Sequence, residues 1–268
     1  MWLNDGLPIT SARLCGAQDD PAKGAALSVG NRLDGSQNRL ISLWSPQSIN
    51  RMGPYSRRVR LGRGSVLSEP DMSPHDVFFV EEGVASVVRP EKAAGRIEIC
   101  LVGREGFTGS PIVLADGRWP YQTFVQTDGL MAIAVDAIAL KESIDQDEGL
   151  RSLLLRASHV QMIQIAEGLA SAAWQPLTSR LARWLLMYRD RLGVDRLEVT
   201  HEFIAYMVGA QRSGITDALH QLEGRGLLTA SRGLIILRDV SSLEGVAGWS
   251  YGNSEAELAR LLSASEVR

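Results

Sequence analysis

Between Leu40 and about Asp136 the apolar residues come in short runs broken by Gly and Pro: Val59 to Leu61, Val77 to Val80, Val84 to Val88, Ile97 to Val102, Gln122 to Gln126 and Leu130 to Val135. Short runs rich in Val and Ile read as strands, and several at this spacing predict an antiparallel roll or barrel. The segment VFFVEEGVASVV at 77–88 reads as one hairpin turning at Glu82-Gly83. From Leu150 to Trp174 the period changes, and Leu155, His159, Met162, Ala166, Leu169 and Ala173 recur at alternating steps of four and three. That is the spacing of a coiled-coil seam, so these six are the candidate dimer interface, with His159 as a seam filler rather than a ligand. The small residues Ala166, Gly168, Ala170 and Ala173 would let a second helix come close, while Leu153, Val160, Ile163 and Ile165 widen the apolar surface enough for the helix to pack on its own body as well. Pro176 stops this helix and suits the first turn of another, with Leu177, Leu181, Trp184, Leu185 and Tyr188 inward and Arg180, Arg183 and Arg191 mainly outward.

The segment Val199 to Arg238 reads as two short helices, a tight turn and a hairpin, which is a winged helix-turn-helix. Thr200 is the expected N-cap of the first helix, Phe203, Ile204 and Met207 point inward, and Gly209 supplies the turn. In the second helix Ile215, Leu219 and Leu222 share one face; Ser213, Asp217 and His220, with Thr216 beside them, occupy the other. Leu227 to Ala230, a Ser231-Arg232-Gly233 turn and Leu234 to Leu237 then form the wing, with Arg232 at its tip. The candidate DNA-binding residues are Thr200, Arg212, Ser213, Thr216, Asp217, His220 and Arg232. Farther on, Ser254 and Glu257 have capping-box spacing ahead of Leu258, Leu261 and Leu262, predicting a short amphipathic tail helix that docks on the body.

The expected fold is α+β. It comprises a loosely ordered extension over 1–37, or the product of a misplaced start; an antiparallel β-roll, a double-stranded β-helix, over 38–148; a dimerisation helix over 149–174; a winged helix-turn-helix over 175–240; and a tail over 241–268.

Composition narrows the function. At 268 residues and 45% hydrophobic content the chain can bury cores for two domains. No apolar run approaches the roughly 20 residues of a membrane helix, and the N-terminal segment lacks a basic start and an apolar stretch, so a cytoplasmic protein with no membrane partner is expected. Cys15 and Cys100 provide neither a disulfide framework nor the four thiolates of an iron–sulfur cluster. His75, His159, His201 and His220 place only one imidazole in the roll, so a metal-dependent roll enzyme lacks its ligands; no metal, cofactor or catalytic residue is expected, and the chain is not read as an enzyme. The net charge of -3 conceals an asymmetry, because Gln175 to Arg238 holds nine Arg against six acids. A basic C-terminal module on an acidic body is the pattern of a regulator whose sensor does not touch nucleic acid.

Roll, seam helix and winged helix in that order resemble the Crp/Fnr superfamily of bacterial transcription regulators over roughly residues 40 to 240. HDVFFVEEGVASVV at 75–88, GREGFTGSPIVL at 103–114 and VTHEFIAYMVGAQRSGITDALHQLEGRGLL at 199–228 carry the resemblance. It implies a homodimer that places one recognition helix per subunit in successive major grooves. The expected partners are double-stranded DNA and a second copy of the chain, with RNA polymerase as a further candidate and a small-molecule effector or none.

Two departures matter. Members that bind cyclic nucleotide use a Gly-Glu pair for the ribose and an Arg-Ser or Arg-Thr pair for the phosphate; the matching places here are Gly109-Ser110 and Tyr121-Gln122. Without those charged hydrogen bonds, each about 1.5 to 3 kcal/mol, cyclic AMP is not expected to bind. The alternative is that Arg118 replaces the missing arginine. In the recognition helix the usual Arg-Glu followed four residues on by Arg becomes Arg212-Ser213 followed by Asp217, which predicts an unusual operator or, alternatively, a module that contacts protein without reading DNA. Gly214 reads as a position where a bulkier residue would hold the helix off the duplex.

Overall fold

The computed structural model describes residues 33–89 and 97–263; the stretch 1–32, with Cys15, lies outside the described residues. Residues 33–37 already pack on the body, because Leu33 is buried in the core and the Gln37 N–H donates to Glu81 at 3.0 Å. Ser45 caps the first helix, α1 (Pro46–Met52), accepting from the Ser48 N–H, and Pro46 occupies its first turn.

The strands β1 (Ser56–Gly62), β2 (Val66–Ser68), β3 (Asp76–Glu82), β4 (Ala85–Arg89) and β5 (Ile97–Val102) precede a single helical turn, α2 (Ser110–Leu114), and then β6 (Gln122–Val125) and β7 (Gly129–Asp136). They form two open antiparallel sheets, ordered β1-β7-β3 and β2-β6-β4-β5. Phe78, Val80 and Ala132 of one sheet meet Val87, Cys100 and Val125 of the other in a shared core. The expected 77–88 hairpin does not form: β3 pairs with β7, whereas β4 pairs with β5 and β6. Gly83, at φ 87°, carries the chain from one sheet to the other, and a Cβ there would run into the Gly129 carbonyl. Both strands are buried on both faces, so no alternation of polar and apolar positions marks which neighbour each pairs with.

Helix α3 (Ala137–Gln146) follows, capped by Asp136, and then the long α4 (Glu148–Trp174), capped by Asp147. One face of α4 lies on its own roll: Leu153, Leu154, Ala157 and Val160 are buried, and Gln164 accepts from the Leu101 N–H at 2.7 Å. The opposite face presents the predicted seam, with Leu155, Met162 and Leu169 exposed by 41%, 56% and 73% and His159, Ala166 and Ala173 exposed between them.

Next come α5 (Leu177–Leu192), β8 (Arg196–Leu197), α6 (His201–Val208), α7 (Arg212–Gly224), β9 (Leu228–Ser231), β10 (Leu234–Leu237), α8 (Val240–Ala247) and α9 (Asn253–Ser263). The C-terminal helices dock on the roll rather than standing apart, since Val84, Val88, Leu101 and Phe124 share one core with Leu181, Trp184, Leu185 and Ile204. Glu98 sits at this junction, accepting from Trp184 Nε1 at 2.9 Å and from Ser86 Oγ at 2.8 Å. Burial pushes its carboxyl up to about 7, against the opposing pull of those two bonds and of Arg191 and Arg183. Helix α9 returns to pack on α4 and inserts Leu261, fully buried, into the roll-side core. The expected Ser254–Glu257 box is absent: Glu255 accepts from the Gly252 N–H at 3.1 Å, while Glu257 pairs with Arg260. Among the described residues no helix is long and apolar enough to cross a membrane.

Candidate nucleic-acid interface

Thr200 caps α6 as the sequence predicts, its Oγ1 accepting from the Phe203 N–H at 3.2 Å. Gly209 ends the helix in the left-handed region at φ 68°, and a Cβ there would lie 2.9 Å from Ile97 Cδ1. The turn is therefore tight and also rests on β5. Helix α7 then runs across α5 and α6, burying Ile215, Leu219 and Leu222 completely. Arg212, Ser213, Asp217 and His220 are exposed on the other side, so the structure brings the predicted reading residues onto one open helical face. Thr216 stands half-buried at the edge of that face and is already engaged, donating to the Arg212 carbonyl at 3.1 Å and lying 3.1 Å from His201 Nδ1.

His201 was not singled out by sequence reasoning. Burial first, then the charges of Arg212 and His220, hold its pKa below the ordinary histidine value. Its place immediately after the N-cap was the available signal. Gly214 departs from its expected role: it faces α5, where a Cβ would come within 2.9 Å of Leu177 Cδ2, so its smallness serves helix packing rather than approach to a duplex.

The wing is a three-stranded sheet, β8-β10-β9, turning at Arg232-Gly233 with Gly233 at φ 75°. The side chain of Glu223 near the end of α7 accepts from the Ala230 N–H at 3.0 Å, tying wing to recognition helix. Arg232 is exposed at the tip. Two exposed arginines thus flank an exposed polar helix, an arrangement able to grip phosphates and present hydrogen-bonding groups to base edges.

The predicted effector residues do not converge. Ser110 is buried and hydrogen-bonds Gln161 of α4, whose Nε2 donates to the Phe107 carbonyl at 2.9 Å. Gly109 is required by packing, because a Cβ would strike Val77. Tyr121 packs edge-on against Trp119 at 4.9 Å, and Gln122 donates to Glu69 at 3.0 Å. Arg118 is exposed and donates to Asp116 through Nη2 at 2.8 Å. The cavity between α2, Trp119 and Gln161 measures about 20 Å³, and of the five predicted residues only Ser110 lines it.

A family model described as the Crp-like helix-turn-helix domain matches residues 179–246. Among solved structures the chain is similar to a transcriptional regulator of the Crp/Fnr family from Eubacterium rectale, at 18% identity and a TM-score of 0.63 over 78% of this chain and 97% of that one. FixK2 from Bradyrhizobium japonicum aligns at 15% identity and a TM-score of 0.61, over 71% of this chain and 96% of its own. The Crp-family regulator TTHB099 from Thermus thermophilus aligns at 21% identity and a TM-score of 0.59, over 71% and 96%. Among curated proteins no sequence matches the chain. Residues 179–246 thus match a Crp-like helix-turn-helix domain, and the chain shares the fold of these solved regulators.

Proposed function

We propose that the chain acts as a homodimer on an inverted-repeat operator, with α7 of each subunit in successive major grooves and α4 as the dimer seam. The observation that carries the reading is the exposed face of Arg212, Ser213, Asp217 and His220 over a fully buried Ile215, Leu219 and Leu222. Arg212 reads a base or grips phosphate, Asp217 accepts from a cytosine amino group, Thr200, Thr216 and His220 border the contact, and Arg232 holds phosphate at the wing. On this reading the roll reaches from Leu33 to about 148, the seam helix spans 149–174, the winged domain spans 175–240, and the rest is tail.

The roll does not take cyclic nucleotide. A cavity of about 20 Å³ has room for about one water molecule, and Ser110 stands where a carboxylate would be needed. Arg118 is held by Asp116 at the surface, so its position lends no support to a substitute phosphate site.

Selection of bound duplexes from a random pool by the purified chain tests the reading. The selected site should be a two-fold repeat with half-sites about 10 bp apart. Arg212→Ala should weaken binding to it by about 1 to 3 kcal/mol and relax one position per half-site, while Arg232→Ala should weaken all sequences alike and lower the salt dependence. If no duplex is enriched, or if both variants bind as the parent does, the reading is wrong and the protein-contact alternative takes its place.

A further inference from the structure

A cleft of about 330 Å³ opens where the loop after β5 meets α4, α5 and α9, outside both the roll interior and the α7 face. Volumes from about 300 Å³ upward are those of small-molecule sites. Its apolar wall is built from Val102, Ala157, Val160, Leu258 and Leu262. Three arginines, Arg39, Arg104 and Arg191, and three carboxylates, Glu105, Asp190 and Glu255, complete it. Glu105 accepts from the Gly103 N–H at 3.2 Å and lies 3.1 Å from Arg191 Nε; Asp190 accepts from the Tyr251 hydroxyl at 2.8 Å; Glu255 accepts from the Gly252 N–H and from Ser254 Oγ. Arg39 and Arg104 are exposed on the rim, and among the described residues their side chains make no hydrogen bond or ion pair. The Arg39 N–H donates to the Arg104 carbonyl at 2.8 Å, which fixes the two residues side by side. Arg191, only 9% exposed, donates from Nη1 to the Met187 carbonyl and is ion-paired through Nε with Glu105 at 3.1 Å, so its charge is already matched.

At the mouth of this apolar cavity Arg39 and Arg104 stand side by side without an acid partner among the described residues, while Glu105 is taken by Arg191 and Asp190 and Glu255 are engaged by Tyr251, Gly252 and Ser254. We propose that this cleft binds a small organic anion, a carboxylate, sulfonate or phosphate head on an apolar body. The head lies between Arg39 and Arg104, and the body lies on Val160 and Leu258. One molecule there touches the roll, the seam helix, the first helix of the winged module and the tail helix, so occupancy holds these four parts together. The inference rests on the cleft alone and stands whether or not α7 reads DNA.

Anilinonaphthalene sulfonate, an amphipathic anion whose fluorescence rises in apolar surroundings, is the probe. Titrated into the full chain, it should fill one saturable site per chain, and the uncharged N-phenylnaphthylamine should bind about tenfold more weakly or worse. The double variant Arg39→Ala/Arg104→Ala should lose about tenfold in affinity for the sulfonate with no change for the uncharged probe. Ala259→Trp, at an exposed position of α9 on the cleft, should abolish the site by filling it. All three positions are exposed, so circular dichroism should match the parent. Parent-like binding in either variant, equal affinity for the two probes, or no saturable site overturns the proposal.

Discussion

At Glu98 the fold favours the protonated acid. Ser86 Oγ faces two acceptors, Glu98 Oε2 and Gln126 Oε1, with a single proton to give. A protonated Glu98 can donate to Ser86, which leaves the Ser86 proton for Gln126 Oε1. Because the carboxyl rises from its ordinary 4.5 to about 7, the folded state holds a proton that the unfolded state releases between those values. Stability from this group is therefore full below about pH 4.5 and falls as the pH rises through 7, by about 3 kcal/mol in all. Glu98→Gln, which keeps an acceptor for Trp184 and a donor for Ser86, should flatten the denaturation midpoint between pH 5 and pH 8 relative to the parent; equal pH slopes would show that Glu98 titrates normally. On α7, Thr216 shows why spacing alone overstates a reading face: helical period places it beside Asp217, but its hydroxyl is engaged by the Arg212 carbonyl and approached by His201. Asp217→Ala separates two roles for that exposed carboxylate. Lost preference at one base pair means that it reads cytosine, and uniformly tighter binding means that it only repels phosphate.

At the scale of elements, α4 is two helices in one. Its Leu153, Leu154, Ala157 and Val160 face is buried by the same chain, while the Leu155, Met162 and Leu169 stripe is left open with Trp174 83% exposed beyond it. In the proposed dimer this stripe, at coiled-coil spacing, is the face that a second copy covers. Met162→Glu and Leu169→Glu should each give monomers of unchanged helicity, because neither side chain supports the fold of its own subunit; a parent that is monomeric at micromolar concentration by light scattering would refute the seam. The pattern of 150–174 was legible because its period of four and three persists for more than three turns. That of β3 and β4 was not, because both strands are buried throughout, and an unbroken apolar run carries no record of its partner.

In the whole molecule the roll and the winged helix share one core. Val84, Val88, Leu101 and Phe124 of the strands pack with Leu181, Trp184 and Leu185 of α5, and α9 closes back on α4 to place Leu261 in the other core. Each apolar side chain so buried contributes about 1.5 to 3 kcal/mol, so neither module can open without exposing the other's surface. Calorimetry should accordingly show one unfolding transition with equal calorimetric and van't Hoff enthalpies. Two resolved transitions would mean that the modules unfold independently.

The sequence by itself determined six of the seven roll strands, all but β2, together with the long helix α4 and the winged helix, because each rests on local periodicity, caps and glycine turns that need no knowledge of distant residues: Thr200 caps α6, Gly209 makes the turn, and Ile215, Leu219 and Leu222 set the buried face. Only the tertiary structure decided that β3 and β4 lie in different sheets, that Gly214 serves Leu177, that Arg118 is held by Asp116, and that Arg39, Arg104 and Arg191 gather around one cleft with the tail helix. These are contacts between segments tens of residues apart, which no local pattern encodes and which packing of the whole chain alone brings together.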